Sequence, residues 1–332
     1  MSKKIINDPA NVVEELLEGL IAAGNGSIRQ VGAVGALAKA NLQNDKVGIL
    51  IGGGSGHEPL FPCFIGDNLA DGAACGNVFA APPPDVILDV TRALNKGKGV
   101  LYVYGNYAGD CMNFDIAAEM AEEEGIEVKT VRVWDDVASA PPDQTEERRG
   151  IAGDLFVIKI AGAAATKAPD LDEVFRITSK ARDCTRSIGV ALAAGSIPET
   201  GEPTFKLGDD EMEIGMGLHG EPGVRRQKLE AADAIVTDMM GCMLDDMPLT
   251  ASDDVCLLVN NLGSTTFMEL LIVNRRARQI LDEKDISVHD TVMGSFCTCQ
   301  EMAGASITLM KLDPELRQFY DMPARSPAFT KG

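Results

Sequence analysis

The clearest structural signal in the chain is Lys46-Val-Gly-Ile-Leu-Ile51, which runs directly into Gly52-Gly53-Gly54. The short apolar run predicts a buried strand at residues 46–51, and the glycines predict a loop at its carboxyl end. Similar strand patterns occur at residues 97–104 and 127–133, with a helix pattern between them at 112–124. Strands that alternate with helices are typical of an α/β protein with a largely parallel sheet.

The remaining patterns continue this alternation along the chain. Helices are predicted at residues 10–23, 85–95, 154–167, 170–182, 228–243 and 265–281, and strands at 187–195, 255–259, 291–298 and 305–311. We therefore predict two closely packed α/β domains, residues 1–185 and 186–332, each with a largely parallel or mixed sheet flanked by helices. Ligands of such sheets bind at loops that follow the carboxyl ends of strands.

Composition excludes some classes of function. The 332 residues include 30 basic and 50 acidic side chains, so the net charge is −20. This balance argues against a nucleic-acid surface, which needs a basic stripe, and favours a neutral small molecule as ligand. No apolar run is long enough for a membrane span, and the first residues lack the pattern of a signal peptide. We expect a cytoplasmic protein that does not contact a membrane.

Two of the three histidines lie in glycine-flanked loops. His57 lies in GGGSGHEP at residues 52–59, and His219 lies in GMGLHGEPG at 215–223, whereas His289 is in a polar stretch. Glycine allows the backbone to approach a ligand closely, and imidazole is a neutral base near physiological pH. Each histidine could instead make a structural hydrogen bond in a tight turn. Two such loops in a chain with so few histidines favour a functional role.

The acidic and basic candidates leave alternatives open. Asp110 follows a predicted strand and opens a helix, so it is either a helix N-cap or a carboxylate that binds substrate hydroxyls. Asp135 and Asp136 could bind a cation, but a helix cap or a loop end is the commoner role. The charges at residues 146–149 are typical of a surface or interface cluster. The loop at 52–59 matches neither a dinucleotide-binding nor a Walker A motif.

Several motifs together resemble a known family. They are GGGSGHEP at 52–59, GNVFA at 76–80, GNYAGDCMNF at 105–114, DDVA at 135–138, RRGIAGD at 148–154, GLHGEPG at 217–223, LVNNLG at 258–263 and SITLMKLD at 306–313. In this order they resemble the substrate-binding subunit of the dihydroxyacetone kinase family. The resemblance runs over nearly the whole chain.

The resemblance implies a covalent mechanism. In that family a histidine adds to the ketone of the substrate and forms a hemiaminal, a role that the resemblance gives to His219. His57 would be the base that deprotonates the terminal hydroxyl, and Asp110 would hydrogen-bond the substrate. The other implied substrate contacts are Gly54, Ser55 and Gly56.

The resemblance also implies partners. Family members are two-domain homodimers, and this chain is expected to hold no metal and no nucleotide of its own. ATP with Mg²⁺, or a tightly held ADP recharged by a phosphotransferase chain, would sit on a separate helical donor subunit. The chain is then expected to turn over only together with that subunit.

One departure from the family pattern concerns the substrate. Gly105 stands where many members carry a lysine that touches the ketose, so a larger ketose such as a four-carbon erythrulose is an alternative to dihydroxyacetone. A second alternative is a sensor that binds the ketone and co-activates a transcription regulator. Retention of both His57 and Asp110 favours a kinase component over such a sensor. A third alternative is a nucleotide-dependent oxidoreductase, but the glycine-rich loop is the only sequence feature that supports it.

Overall fold

A largely parallel sheet forms the first half of the protein. In the computed structural model, which describes residues 3–332, this sheet has six strands: β1 (Ile28–Gln30), β2 (Ala36–Lys39), β3 (Gly48–Ser55), β4 (Gly72–Val78), β5 (Val100–Gly105) and β6 (Val128–Val133). Their order is β1-β2-β4-β3-β5-β6. The strands from β4 to β6 are parallel, while β1 and β2 run antiparallel to their neighbours.

Helices cover both faces of this sheet. In chain order they are α1 (Val12–Ala23), α2 (Pro84–Leu94), α3 (Ala108–Glu123), α4 (Asp154–Ala164) and α5 (Leu171–Asp183). Side chains alternate across β5, as the twofold repeat of a strand requires. Tyr102 and Tyr104 pack against Phe114 of α3, whereas Leu101 and Val103 belong to the core beneath α4 and α5.

The second sheet is mixed. Within the described chain it also has six strands: β7 (Thr185–Ala193), β8 (Glu211–Ile214), β9 (Arg225–Lys228), β10 (Asp254–Asn261), β11 (Ser287–Gly294) and β12 (Ala303–Leu312). Their order is β11-β10-β12-β7-β8-β9, and of these pairs β10–β11 is parallel and the rest antiparallel. The α/β fold with largely parallel or mixed sheets is thus confirmed.

One core connects the two sheets. Helices α6 (Ala232–Asp246) and α7 (Phe267–Glu283) cover one face of the second sheet. On the other face, Cys256 and Leu258 of β10 join the core that lies beneath the first sheet. Helix α8 (Pro314–Tyr320) then returns to α4, where Lys159 Nζ donates a hydrogen bond to the carbonyl of Phe319 at 2.9 Å. The division of the chain at residue 185 stays a prediction.

The structure differs from the sequence patterns at several places. The strand predicted at 291–298 spans Ser287–Gly294, and β1 and β2 were not predicted. Strand β4 was missed, because Gly72-Ala-Ala-Cys-Gly76 has no branched or aromatic residues that favour a strand, yet it pairs between β2 and β3. The helix predicted from residue 228 begins at Ala232, since Arg225–Lys228 pairs with β8 instead.

Over residues 3–332, none of the helices has the length and apolar character needed to cross a bilayer.

Candidate functional site

A cavity of about 240 Å³ lies where loops of the two halves meet. Its wall includes His57 from the loop after β3, Asp110 from the first turn of α3, and His219 from the loop between β8 and β9. The structure therefore brings together the three residues that the sequence predicted as catalytic. The first two lie beyond the carboxyl ends of parallel strands, where ligands of such sheets bind.

The ring of His57 is held by a hydrogen bond to a residue far away in the sequence. Its ring is buried, and Nδ1 donates a hydrogen bond to the carbonyl of Thr298 at 2.7 Å. Asn260 holds the segment that carries Thr298, because its Oδ1 accepts the backbone N–H groups of Phe296 and Cys297. Burial, followed by the charge of His219, lowers the pKa of His57 to about 3. His57 is therefore neutral near pH 7, with Nε2 as a hydrogen-bond acceptor.

His219 is oriented by a carboxylate two residues away. Its side chain is 29% exposed, and Nδ1 donates to Glu221 Oε1 at 3.0 Å. The backbone N–H of His219 donates to the other oxygen of Glu221, also at 3.0 Å. Although burial opposes ionisation, the hydrogen bond and charge of His219 lower the pKa of Glu221 to about 2. Glu221 thus stays ionised and fixes the ring with Nε2 2.9 Å from Nε2 of His57.

A half-buried arginine completes this arrangement. Arg149 Nη2 contacts Asp136 Oδ2 at 2.7 Å and donates to the carbonyl of Gly215 at 3.0 Å. Arg149 Nη1 also lies 3.9 Å from Glu221. The guanidinium therefore ties the start of the His219 loop to the segment that follows β6, and it adds positive charge beside Glu221.

The interpretation of residues 146–149 as a surface cluster is wrong for the two arginines. Arg148 is 1% exposed and pairs with Asp246 of α6.

Asp135 is also buried, and its carboxylate accepts the backbone N–H groups of Ile151 and Gly153 at 2.8 Å each. Asp135 therefore holds the turn that precedes α4.

Asp110 is not a helix cap. The N-cap position of α3 is Tyr107, which makes no side-chain capping bond, and Asp110 lies within the first turn. Within residues 3–332, Asp110 Oδ1 has no hydrogen-bond partner. Burial raises the pKa of Asp110 to about 7, although the charge of His219 opposes this. Near neutral pH the carboxyl is therefore partly protonated and free to bind a ligand.

Three buried oxygens of the cavity wall lack a hydrogen-bond partner among the described residues. They are Tyr107 Oη, Asp110 Oδ1 and Asp154 Oδ1, and none has a partner within the described chain. Buried polar groups without partners are rare because they lose the hydrogen bonds that they made with water. These cavity oxygens fit a small ligand with several hydroxyl groups. Tyr107 and Asp154 were missed, although both lie in motifs that carried the resemblance.

The three residues predicted to contact the substrate beside the histidines, Gly54, Ser55 and Gly56, have different surroundings in the structure. Gly54 lines the cavity. Ser55 Oγ donates to the carbonyl of Gly76 at 2.7 Å, and the N–H of Gly56 donates to Glu58 at 2.9 Å. Gly56 has φ +99°, a conformation that favours glycine, and it turns the chain towards His57. Substrate contact by Gly54, Ser55 and Gly56 stays a prediction.

Aromatic rings form the apolar side of the cavity. Phe79 has φ +57°, an uncommon value for a bulky residue, and its ring centroid lies 5.1 Å from His57 and 5.5 Å from His219. Tyr107 packs edge-on against His219 at 5.2 Å. These rings hold both imidazoles in place and limit the access of water. Phe79 was missed as a site residue, and its signal was the GNVFA motif.

Residues 18–328 match the family described as the Dak1 domain. The chain belongs to the Dak1 domain family. This Dak1 chain is 44% identical to the dihydroxyacetone-binding subunit DhaK of PTS-dependent dihydroxyacetone kinase 2 from Listeria innocua, over 98% of this chain and 99% of that protein. It is 39% identical to an L-erythrulose kinase from Pectobacterium atrosepticum, over 99% of this chain but 56% of that protein.

The Dak1 fold also matches a solved structure. The native dihydroxyacetone kinase of C. freundii superposes with a TM-score of 0.92 at 29% identity, over all of this chain and 61% of that one. The resemblance inferred from the sequence motifs is thus confirmed. Two of these proteins extend well beyond the Dak1 region that they share with this chain.

Proposed function

We propose that this chain captures a small hydroxy-ketone as a hemiaminal on His219 and presents its terminal hydroxyl for phosphorylation. One observation carries the proposal: Glu221 holds Nδ1 of His219 at 3.0 Å, beside a cavity with buried polar oxygens. A hydrogen bond between the Nε2 atoms of His219 and His57, 2.9 Å apart, holds one proton. Once this proton has left, neutral His219 has a free electron pair on Nε2, and such a nitrogen can attack a carbonyl carbon. The relatives named for dihydroxyacetone and for erythrulose support a ketose as ligand.

The capture step balances with groups of the cavity. A bond forms between Nε2 of His219 and the carbonyl carbon, and the π bond of the ketone breaks. The imidazole gains a positive charge, which ionised Glu221 stabilises through its hydrogen bond with Nδ1, and the former carbonyl oxygen takes a proton from Asp110. The pKa of Asp110, raised by burial to about 7, keeps it partly protonated for this role. Polyols have no carbonyl carbon and are not captured.

His57 would act in the transfer step. The hemiaminal holds the terminal hydroxyl near the neutral imidazole of His57. Little further translational and rotational entropy is therefore lost when the hydroxyl oxygen attacks phosphorus. His57 Nε2 takes the hydroxyl proton as that oxygen attacks phosphorus, because Thr298 already holds the Nδ1–H at 2.7 Å. General-base help of this kind contributes roughly 10²–10⁴-fold in rate.

Carbon-13 NMR tests the capture step. With dihydroxyacetone labelled at the carbonyl carbon, the wild-type chain should convert the ketone resonance into that of a tetrahedral carbon. His219→Ala should abolish the new resonance. His289→Ala is the matched control, because His289 contacts Asp321 at 2.6 Å and lies outside the cavity. A tetrahedral resonance that persists in His219→Ala would refute the assignment of the nucleophile.

The phosphoryl donor is proposed to lie on a separate helical subunit that carries ATP with Mg²⁺ or a tightly held ADP. The name of the Listeria relative, a binding subunit of a PTS-dependent kinase, supports this division. We also propose a cytoplasmic homodimer. Phosphorylation of the ketose should appear when the cognate donor subunit is added, and light scattering should give twice the mass of the chain. Capture without phosphorylation by any cognate donor would favour the ketone sensor instead.

A further inference from the structure

Asn260 is a buried amide at the carboxyl end of β10, and the proposed chemistry does not use it. Alternate residues of a strand point to the same face of the sheet. Asn260 therefore shares a face with Cys256 and Leu258, which belong to the core that the second sheet shares with the first half. It is 0% exposed, so its polar atoms depend on partners within the protein.

All the hydrogen-bonding capacity of this amide is used. Oδ1 accepts the backbone N–H of Phe296 at 2.8 Å and that of Cys297 at 3.0 Å. Nδ2 donates to the carbonyl of Cys297 at 2.7 Å and to Oγ of Ser306 at 3.1 Å, and Ser306 lies directly opposite on β12. Because three of these four bonds reach the backbone, Asn260 fixes the start of residues 296–300, which we call the supporting segment.

The supporting segment in turn holds the loop of His57. The N–H of Thr298 donates to the carbonyl of His57 at 3.2 Å, and Thr298 Oγ1 donates to the carbonyl of Glu58 at 2.8 Å. The N–H of Gln300 donates to the carbonyl of Gly56 at 3.0 Å. The carbonyl of Thr298 also accepts Nδ1–H of His57 at 2.7 Å. The backbone and the ring of His57 are thus held by the same short segment.

The bond to Thr298 decides which nitrogen of His57 can act as a base. A neutral imidazole carries one proton, and the other nitrogen keeps the electron pair that accepts a proton. Because the carbonyl of Thr298 holds Nδ1–H, that electron pair stays on Nε2, the nitrogen on the side of His219. A displacement of the reacting groups by roughly 1 Å can lower a rate by roughly 10²-fold.

We propose that Asn260 is a positioning residue for the transfer step, which orients His57 as a base through the supporting segment. This assignment rests on the proposed role of His57 in phosphoryl transfer. His219 is oriented separately, since Glu221 holds its Nδ1 and its backbone N–H at 3.0 Å each. A change at Asn260 therefore slows transfer of the phosphoryl group while capture of the ketose persists.

Nitrogen-15 NMR of the whole chain and phosphorylation with the cognate donor subunit test this assignment. The chain has three histidines, so the ring nitrogens of His57 can be followed. In the wild type Nδ1 of His57 should carry the proton and exchange it slowly with water. Asn260→Asp removes both Nδ2–H donors, so this proton should exchange roughly 10-fold faster or more. The rate of phosphorylation should fall by roughly 10²-fold, while carbon-13 NMR still shows captured dihydroxyacetone.

Asn261→Asp is the matched control. Asn261 is the next residue of β10, is 8% exposed and accepts the N–H groups of Gly263 and Thr265. This variant should leave the His57 spectrum and the phosphorylation rate unchanged. Thr298→Val is a second variant, which keeps the proposal testable if Asn260→Asp does not fold. It removes the bond to Glu58 and should slow phosphorylation by roughly 10-fold.

Two results overturn the proposal. One is an Nδ1 proton of His57 that exchanges no faster in Asn260→Asp than in the wild type. The other is an equal loss of capture and phosphorylation in Asn260→Asp, which a merely structural role would cause. A wild type that captures no ketose overturns the proposed function instead, and the nitrogen-15 spectra then decide on their own whether Asn260 positions His57.

Discussion

Replacement of Asp110 by Asn should stabilise the fold, and the gain should grow as the pH rises. The carboxyl of Asp110 is largely buried in the wall of the cavity, and its Oδ1 has no partner within the described residues. An ionised carboxylate is disfavoured in such surroundings, whereas the amide of Asn carries no charge. The substitution keeps the shape of the side chain and removes its ability to ionise.

The magnitude follows from the pKa of Asp110. Folding raises this pKa from 3.8 to about 7, chiefly through burial. Between these values the folded chain holds a proton that the unfolded chain has released, so the free energy of unfolding falls as the pH rises. At 1.36 kcal/mol per pH unit the loss amounts to roughly 4 kcal/mol above pH 7. Because Asn still buries a polar group, we expect a net gain of roughly 2–4 kcal/mol at pH 8 and almost none at pH 4.

Urea unfolding of the wild type and of Asp110→Asn at intervals from pH 4 to pH 8 measures this difference. Asp85→Asn, at an exposed position in the first turn of α2, should change the free energy of unfolding by less than about 1 kcal/mol. A gain for Asp110→Asn that is equal at pH 4 and pH 8, or absent at both, would refute the reasoning. The stabilised variant should also capture ketose more slowly, because it cannot protonate the carbonyl oxygen.

Three further outcomes are expected. Glu221→Gln keeps an acceptor for Nδ1 of His219 but lacks the negative charge that stabilises the imidazole as it becomes positive, so the capture rate measured by NMR should fall by roughly 10²-fold or more. An unchanged rate would contradict the role of Glu221. Asp246→Asn leaves two arginines without a charged partner and should lower the free energy of urea unfolding by roughly 3–5 kcal/mol; a loss below 1 kcal/mol would mean that this ion pair contributes little. Gly56→Ala should lower stability by roughly 1–2 kcal/mol because of its φ of +99°. It should also slow capture, because the new Cβ would lie 2.7 Å from the Phe79 ring, and normal capture would contradict this packing argument.

The sequence determined the local elements and the two histidine loops. The apolar run at residues 46–51 and the glycines that follow gave β3 and the loop of His57, because strand pattern and backbone freedom depend on neighbouring residues alone. The glutamate that follows each histidine, in His57-Glu58-Pro59 and His219-Gly220-Glu221-Pro222, is a local feature as well. In both loops the Glu accepts the N–H of the residue two positions before it, from Gly56 to Glu58 and from His219 to Glu221.

The tertiary structure decided which of these loops meet and what each side chain does there. Thr298 fixes the ring of His57 from a position 241 residues away along the chain. Arg149 had the sequence context of a surface charge, yet it ties Asp136 to the His219 loop. Such contacts follow from the strand order of two sheets and from the core that they share. No periodicity within a short window of sequence contains that information.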